Sequence, residues 1–497
     1  MREEQKVKHL VQFWQEWLLI ALLLLIMLLK GILWSLALPL WQGPDEEDHY
    51  NVIQFIGELG RLPDREDTYL IDEVALSRQL ADVGRLPYAP EQRQVFSTGP
   101  SGPGEESFST IPPAMRSSFE LQAVGKLNKA TPLYYMIAAV PYRLFQSGDL
   151  LTRMQVQRIF ALIMSCGIVV VAYLTAKLLF PTDAMMRLTI PTLVAFQPMI
   201  SQMTAVVSVD GFYFLCYSLL ILISIMAIRD RFDWRYGLAL GIIFSIGFLT
   251  KPTLSGFAPL IAIMVLYDFW RGKGRRMQIF WGAVVMAVMI LMLTSWWLVR
   301  SLRINNDLFY FNPVLEGHRI IQNPFYDYQP LVHMLDYYRS VWGGIFVTWW
   351  AHFGWLDTAL PPWIYTLLRF LTFLAITGLV YWLVRNWRRR PTFADWIAGS
   401  RNAPLVVWTF LALTLLVPIV LLQFYDLTFW WQYGNGRGLQ GRYWLGTIVP
   451  MLTFFTLGLL VWVPRRWRGL GHHLLRIGMV LLSFLSLLAY VLPRFYL

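Results

Sequence analysis

Charge is scarce in this chain. Of its 497 residues only 15% are Asp, Glu, Lys or Arg, against 56% hydrophobic. A soluble protein of that length needs a large charged surface, so a soluble globular fold is excluded. Cysteine is nearly absent. Cys166 and Cys216 both fall inside apolar stretches, where they read as small core residues and indicate neither a disulfide framework nor a zinc site. The seven histidines show no ligand spacing. Phosphate-loop, dinucleotide and nucleophile-elbow motifs are missing, and no long inward region could house a cytoplasmic ATPase domain. A cleavable signal peptide is not expected either. The stretch from Trp17 to Pro39 is too long for such a core and lacks a small-residue cleavage site.

Long apolar runs recur from end to end instead. Each is sufficient to cross a hydrocarbon layer of roughly 30 Å as a helix. In lipid the backbone must satisfy its own hydrogen bonds, and the ten-residue alternation of a membrane barrel is not seen. The fold class is therefore an all-α integral membrane protein, one membrane domain over residues 1–497. The formal net charge of +11 collects in short loops between apolar runs, which is the positive-inside pattern rather than a nucleic-acid surface. Strong inward candidates are Arg229/Arg231/Arg235, Arg271/Lys273/Arg275/Arg276, Arg385/Arg388/Arg389/Arg390 and Arg465/Arg466/Arg468. Lys177 with Arg187, and Arg2, Lys6 and Lys8, are weaker ones. If the short segments 132–146 and 340–353 re-enter or lie at the interface, all these clusters fall on one side. The count is then about eleven full spans (range roughly eleven to thirteen), with the N-terminus inside. The regions 41–129 and 300–360, the stretch 424–441, and the turns at Asp210 and Lys251 all face outward.

The outward residues carry the chemistry. Directly after the first span stands Gln42-Gly43-Pro44-Asp45-Glu46-Glu47-Asp48-His49-Tyr50. One reading is a capped helix start, Asp45 with Asp48 as its box partner, leading into an amphipathic interfacial helix over 51–59. The other is functional: four acids in a row can raise a pKa to make a base or hold a divalent cation such as magnesium or manganese, through Asp45, Glu46 and Asp48. Lys126 and Lys129 lead into Thr131-Pro132-Leu133-Tyr134-Tyr135 and are suited to a lipid phosphate or to plain anchoring. Lys251 is costly to bury unpaired; it either snorkels, holds a phosphate or pairs an acid. Asp210 either caps the helix after it or joins the site, and Arg158 can face the same cavity. His352, Trp355 and Asp357 offer polar and aromatic contacts to a sugar-like acceptor. Asp307, Glu316, His318, Asp327 and His333 show no diagnostic spacing. In the glycine-rich run Gly434 to Gly441, backbone can approach a ligand closely. Arg442 follows, with a guanidinium fork suited to phosphate.

Five motifs resemble a family of bacterial predicted membrane proteins of unknown function, itself similar to the GT-C superfamily of membrane glycosyltransferases. They are Gly43-Pro44-Asp45-Glu46 with His49, Thr131-Pro132-Leu133-Tyr134-Tyr135, Ser208-Val209-Asp210-Gly211, Phe353-Gly354-Trp355-Leu356-Asp357 and Gln440-Gly441-Arg442-Tyr443. The resemblance implies a sugar donor on a polyprenyl phosphate or pyrophosphate in the bacterial cytoplasmic membrane. It implies Asp45 as base, with Glu46 its rival, an inverting displacement, and a leaving phosphate stabilised by Lys251, Arg442 and Arg158. His49, Tyr134, Asp210, His352, Trp355 and Asp357 are then acceptor or sugar contacts. Thr131 stands where related enzymes often carry histidine. The acceptor would be an envelope glycan, lipid or protein, the working unit a monomer, and nucleic acid no partner. The rivals are a transporter or flippase of lipid-linked glycans, which would need paired gates, and a glycan polymerase or ligase.

Overall fold

In a computed structural model the described residues are 2–81, 108, 110–125, 131–306, 334–387, 404–433 and 439–496. Lys126, Lys129, Asp307, Glu316, His318, Asp327, His333, Arg388, Arg389, Arg390 and the glycines of 434–438 lie outside them.

Helix α1 runs Arg2–Ala37. Helices α2 (Glu46–Leu59), α3 (Asp72–Leu80) and α4 (Pro132–Leu144) follow. The bundle continues with α5 (Leu150–Leu179), α6 (Ala184–Phe196), α7 (Pro198–Ala205), α8 (Asp210–Asp230) and α9 (Trp234–Thr250). Then come α10 (Ala258–Arg271), α11 (Arg276–Asn305) and α12 (Met334–Trp350). A two-stranded hairpin, β1 (His352–Phe353) with β2 (Thr358–Ala359), precedes α13 (Pro362–Trp387) and α14 (Pro404–Tyr433). A tight turn over Gly441–Thr447 opens α15 (Ile448–Val461), and α16 (Arg468–Leu485) closes the bundle. It continues through a π-helical turn into α17 (Leu492–Tyr496).

Among the described residues nine helices are long and apolar enough to span a membrane. Two shorter apolar helices, Ala184–Phe196 and Trp234–Thr250, occupy the other two of the eleven expected positions. The first is short for a physical reason. Proline cannot continue a helix, so Pro198 ends α6 and starts α7, and Gln197 caps the new helix by accepting a hydrogen bond from the Ile200 N–H at 2.6 Å. The break frees the Ala195 carbonyl inside the bundle, and the buried Lys30 ammonium of α1 donates to it and to Ser201 Oγ. An intramembrane charge is thus spent on orphaned backbone.

Lys177, Arg187, Arg229, Arg231, Arg235, Arg271, Arg276, Arg385 and Arg465 lie at or next to one set of helix ends. Asp45, Thr131, Asp210, Lys251 and Arg442 lie at the other helix ends. There α2, α3 and α4 build a cap with its own apolar core, including Trp41, Tyr50, Phe55, Val74, Tyr134 and Tyr142. Helix α2 differs from the interfacial helix expected of it, since ten of its fourteen residues are buried. Its polar side is turned into the cap, where Asn51 accepts from the Ile71 N–H at 2.9 Å and Gln54 donates to Glu73 at 2.8 Å. Glu73 in turn pairs with the fully buried Arg153 at 2.6 Å, whose Nη1 donates to the Tyr142 hydroxyl at 2.7 Å.

Without a hydrophobic drive between helices in lipid, close packing rests on small residues. Gly378 and Gly458 bring α13 and α15 into backbone contact. A Cβ on Gly458 would stand 2.0 Å from the Ala375 carbonyl oxygen. Gly458→Ala is therefore expected to cost about 1–3 kcal/mol by overpacking, read as a lowered melting temperature of the purified protein in detergent.

Candidate functional site

The chain leaves α1 through a loop that two unusual residues shape. Trp41 (φ 63°) and Asp45 (φ 57°) both adopt the left-handed conformation, which L-residues other than glycine rarely take. Three groups hold it. The Trp355 indole donates to the Trp41 carbonyl at 2.9 Å, and the Trp41 indole to Ser77 Oγ at 3.1 Å. The third is Arg158 of α5, 4% exposed, whose five N–H groups are all used. Nη1 donates to the Ser35 and Leu38 carbonyls at 2.7 and 2.6 Å, and Nη2 to the Pro39 carbonyl at 3.0 Å. Nε and Nη2 also grip Glu46 at 2.8 and 2.7 Å. These carbonyls at the end of α1 have no intrahelical partner, and the guanidinium supplies one. Glu46, fully buried, also accepts from the Val207 N–H at 2.9 Å. It thereby ties the 39–45 loop to the turn that opens α8. Gly43 permits the contact, since a Cβ there would meet the Val206 side chain at 2.8 Å.

That turn presents Asp210, buried, in an ion pair with Lys251 at the end of α9. The ammonium also lies over the Tyr213 and Tyr443 rings at 5.5 and 5.7 Å. The end of α9 is fixed from α4: Thr131 Oγ1 donates to the Thr250 carbonyl at 2.7 Å. Of the readings open for Lys251, acid pairing is the one observed. Arg442 completes the cluster. It is 7% exposed, and its Nη2 donates to Asp45 Oδ2 at 3.2 Å, while its Nε is buried with no hydrogen-bond partner. Gly441 is required for this approach. Its N–H donates to Thr348 Oγ1 at 2.6 Å, and a Cβ would strike the α12 backbone 2.3 Å from the Trp349 nitrogen. His49 borders the same cluster, Nδ1 2.7 Å from the Tyr135 hydroxyl with the two rings stacked. Burial pushes its pKa below the usual imidazole range, against the pull of Asp45, Asp210 and Asp48.

The acidic run separates by direction. Asp45 occupies the N-cap position of α2 but makes no side-chain capping bond, so the capping box does not form. Glu46 and Arg158 satisfy each other, and neither has a polar group left for a ligand. Glu47, 2% exposed, stands 3.8 Å from Arg78 Nε and keeps Oε2 without a partner. Burial raises its pKa to about 7, and Asp48 adds to the shift. The acid that burial pushes toward its protonated form is thus Glu47, which its place in the run did not single out. The divalent-cation set Asp45, Glu46 and Asp48 does not fit, because both Glu46 oxygens are turned to Arg158 and a guanidinium already meets Asp45. Among the described residues no three His, Cys, Asp or Glu side chains are grouped to hold a metal.

The hairpin residues brace the site. Gly354 (φ 60°) and Leu356 (φ 66°) make the turn. Gln202 accepts from the Gly354 N–H at 3.2 Å and donates to its carbonyl at 3.3 Å. Asp357 pairs with Arg494 at 2.9 Å, with its pKa raised by burial. His352 has its pKa pushed down by burial, and its backbone N–H donates to Met199 Sδ at 3.2 Å. Tyr134 is buried in the cap core, and its hydroxyl has no partner. The structure thus brings Asp45, His49, Asp210, Lys251 and Arg442 together. Tyr135, Tyr213 and Tyr443, quoted in or beside the motifs, join them. Arg494, far off in sequence, carried no signal.

The chain belongs to the family described as "Predicted membrane protein (DUF2142)", whose pattern matches residues 28–452. No curated protein matches it. Three solved structures are similar to it. The Archaeoglobus fulgidus oligosaccharyltransferase complex with Zn and sulfate is 13% identical, with 95% of this chain and 53% of that chain covered at a TM-score of 0.49. ArnT from Cupriavidus metallidurans bound to undecaprenyl phosphate is 12% identical, with 96% and 73% covered at 0.44. The archaeal oligosaccharyltransferase AglB from A. fulgidus, in complex with an inhibitory peptide and a dolichol-phosphate, is 12% identical, with 96% and 55% covered at 0.45. The chain spans about half the length of the archaeal proteins.

Two measurements follow from this geometry. Arg158→Ala leaves Glu46 buried without its charge partner, so a loss of about 3–5 kcal/mol is expected, read by thermal unfolding. Glu47 gives a pH signature. The unfolded carboxyl titrates near 4.5 and the folded one near 7. A raised folded pKa means stability that is full below 4.5 and lost as pH rises through 7. Glu47→Gln should therefore raise the melting temperature at about pH 8 and leave it unchanged at about pH 4; an equal shift at both would assign the effect to packing.

Proposed function

We propose that this protein is a membrane glycosyltransferase that moves a sugar from a polyprenyl-phosphate-type lipid onto an envelope glycan, lipid or protein. The observation that carries the reading is the pair of buried or half-buried cations, Lys251 and Arg442, at helix ends on the cap side, each facing a carboxylate. Cations held at the membrane boundary suit a lipid phosphate, and carboxylates beside them suit an attacking hydroxyl.

The basic helix ends opposite support a cytoplasmic side there. The N-terminus then lies on the cytoplasmic side of the bacterial cytoplasmic membrane, and the cap and the regions 41–129 and 300–360 face outward.

In the reaction the acceptor hydroxyl gives its proton to Asp45. Its oxygen bonds to the anomeric carbon from the face opposite the phosphate, and the carbon–oxygen bond to phosphate breaks. The electron pair leaves with the lipid phosphate, and the centre inverts. Lys251 and Arg442 meet the charge that develops on the leaving oxygen, which replaces protonation by a general acid. Asp210 orients the Lys251 ammonium. His49, neutral at neutral pH, offers a hydrogen bond to a sugar hydroxyl. Glu46 and Arg158, which the motif resemblance offers as base and phosphate ligand, instead hold the loop that carries Asp45. The hairpin residue Trp355 supports that loop through the Trp41 carbonyl, while Asp357 is tied to Arg494.

The test is transfer by the purified protein in proteoliposomes, with labelled polyprenyl-phosphate sugars and envelope extracts as acceptors. Asp45→Asn should lower the rate about 10²–10⁴-fold, the usual worth of a general base, without lowering the melting temperature by more than a few degrees. Wild-type rates from Asp45→Asn would remove it as the base. Movement of lipid-linked sugar between leaflets with no product would give the transporter reading its place.

A further inference from the structure

The two cations assigned to the phosphate are already occupied. Lys251 holds Asp210, and Arg442 holds Asp45, the residue that must be free to take a proton. The second pairing is incomplete in a specific way. Asp45 Oδ2 accepts from Nη2 at 3.2 Å, while Nε of the same guanidinium is buried and donates to nothing. A buried N–H without an acceptor costs free energy. Nε and Nη2 form the edge of the fork that binds two oxygens of one anion side by side. A phosphate can take both positions, whereas the Asp45 carboxylate takes one.

Asp45 is also held less deeply than its partner. Its side chain is 35% exposed against 8% for that of Arg442. Asp210 has no comparable exposure: its side chain is 7% exposed. The weaker of the two pairs is therefore the one that involves the proposed base.

We propose that the lipid phosphate displaces Asp45 from Arg442, so that binding of the donor uncovers the base and the donor must bind before the acceptor can react. This rests on the glycosyltransferase reading and adds an order to it. A hydroxyl entering an empty site meets a carboxylate already engaged by a guanidinium, a weak proton acceptor. Once phosphate spans Nε and Nη2, that carboxylate is released beside the anomeric carbon.

The experiment is equilibrium binding of a C55 polyprenyl phosphate, with no sugar attached, to the full chain in phosphatidylcholine nanodiscs. If Asp45 competes with phosphate for Arg442, Asp45→Asn tightens binding by about tenfold. Asp48→Asn removes the same charge three residues away and should change the affinity by less than about twofold. Arg442→Lys keeps the charge but loses the fork; combined with Asp45→Asn it should abolish the gain. Equal tightening by Asp45→Asn and Asp48→Asn would mean general electrostatics and overturn the displacement. Binding that depends on Arg442 but ignores Asp45 would overturn it too, while leaving the phosphate site standing. Binding indifferent to Arg442 would remove the phosphate site itself, and the order with it.

Discussion

The guanidinium of Arg158 is the constraint on which the site depends. A helix that ends inside protein leaves carbonyls with no partner, and α1 ends where the chain must turn back into the cap. Arg158 takes three of those carbonyls and the Glu46 carboxylate at once. Glu46 then takes the Val207 N–H. One side chain on α5 thus fixes the exit of α1, the start of α2 and the turn before α8. The left-handed conformations of Trp41 and Asp45, each costing on the order of 1–3 kcal/mol, persist because these bonds leave the loop no alternative.

Arg442 reaches this loop from the opposite direction of the chain. It does so through an absence, the missing side chain of Gly441, where any Cβ would overlap the backbone of α12. The cluster of Asp45, His49, Asp210, Lys251 and Arg442 is therefore assembled from four segments, each held by contacts that no ligand needs to supply. The Asp210–Lys251 pair and the loop that carries Asp45 are thus placed before anything binds, which suits chemistry that relies on placed charge.

Much of the membrane architecture was legible in the sequence. Apolar run lengths gave the spans, and the alternating basic loops gave the two ends. The motif resemblance implied most of the cluster, since Asp45, His49, Asp210 and Arg442 all stand in the motifs; Lys251 was read as an acid's partner or a phosphate's. The four acids of 45–48 were not separable. On a helix, successive residues turn by about 100°, and each of these carboxylates ends in a different environment. Glu46 meets an arginine, Glu47 is buried at 3.8 Å from Arg78, and Asp45 meets a cation brought from the far end of the chain. Those surroundings, rather than proximity in sequence, decide which acid is pinned, which holds its proton and which can act.

By itself the sequence determined what depends on composition and period. It defined a helical membrane protein, with charge kept to the ends and an acidic and glycine-marked set of loops on one side, because transfer into lipid penalises each residue almost independently of its neighbours. Only the tertiary structure decided the roles within that set. Arg158 was assigned to the backbone rather than to phosphate, Asp357 to Arg494, and Lys30 to a carbonyl freed by Pro198. Those outcomes follow from which hydrogen-bonding groups are left unpaired once the helices pack, and that accounting exists only in three dimensions.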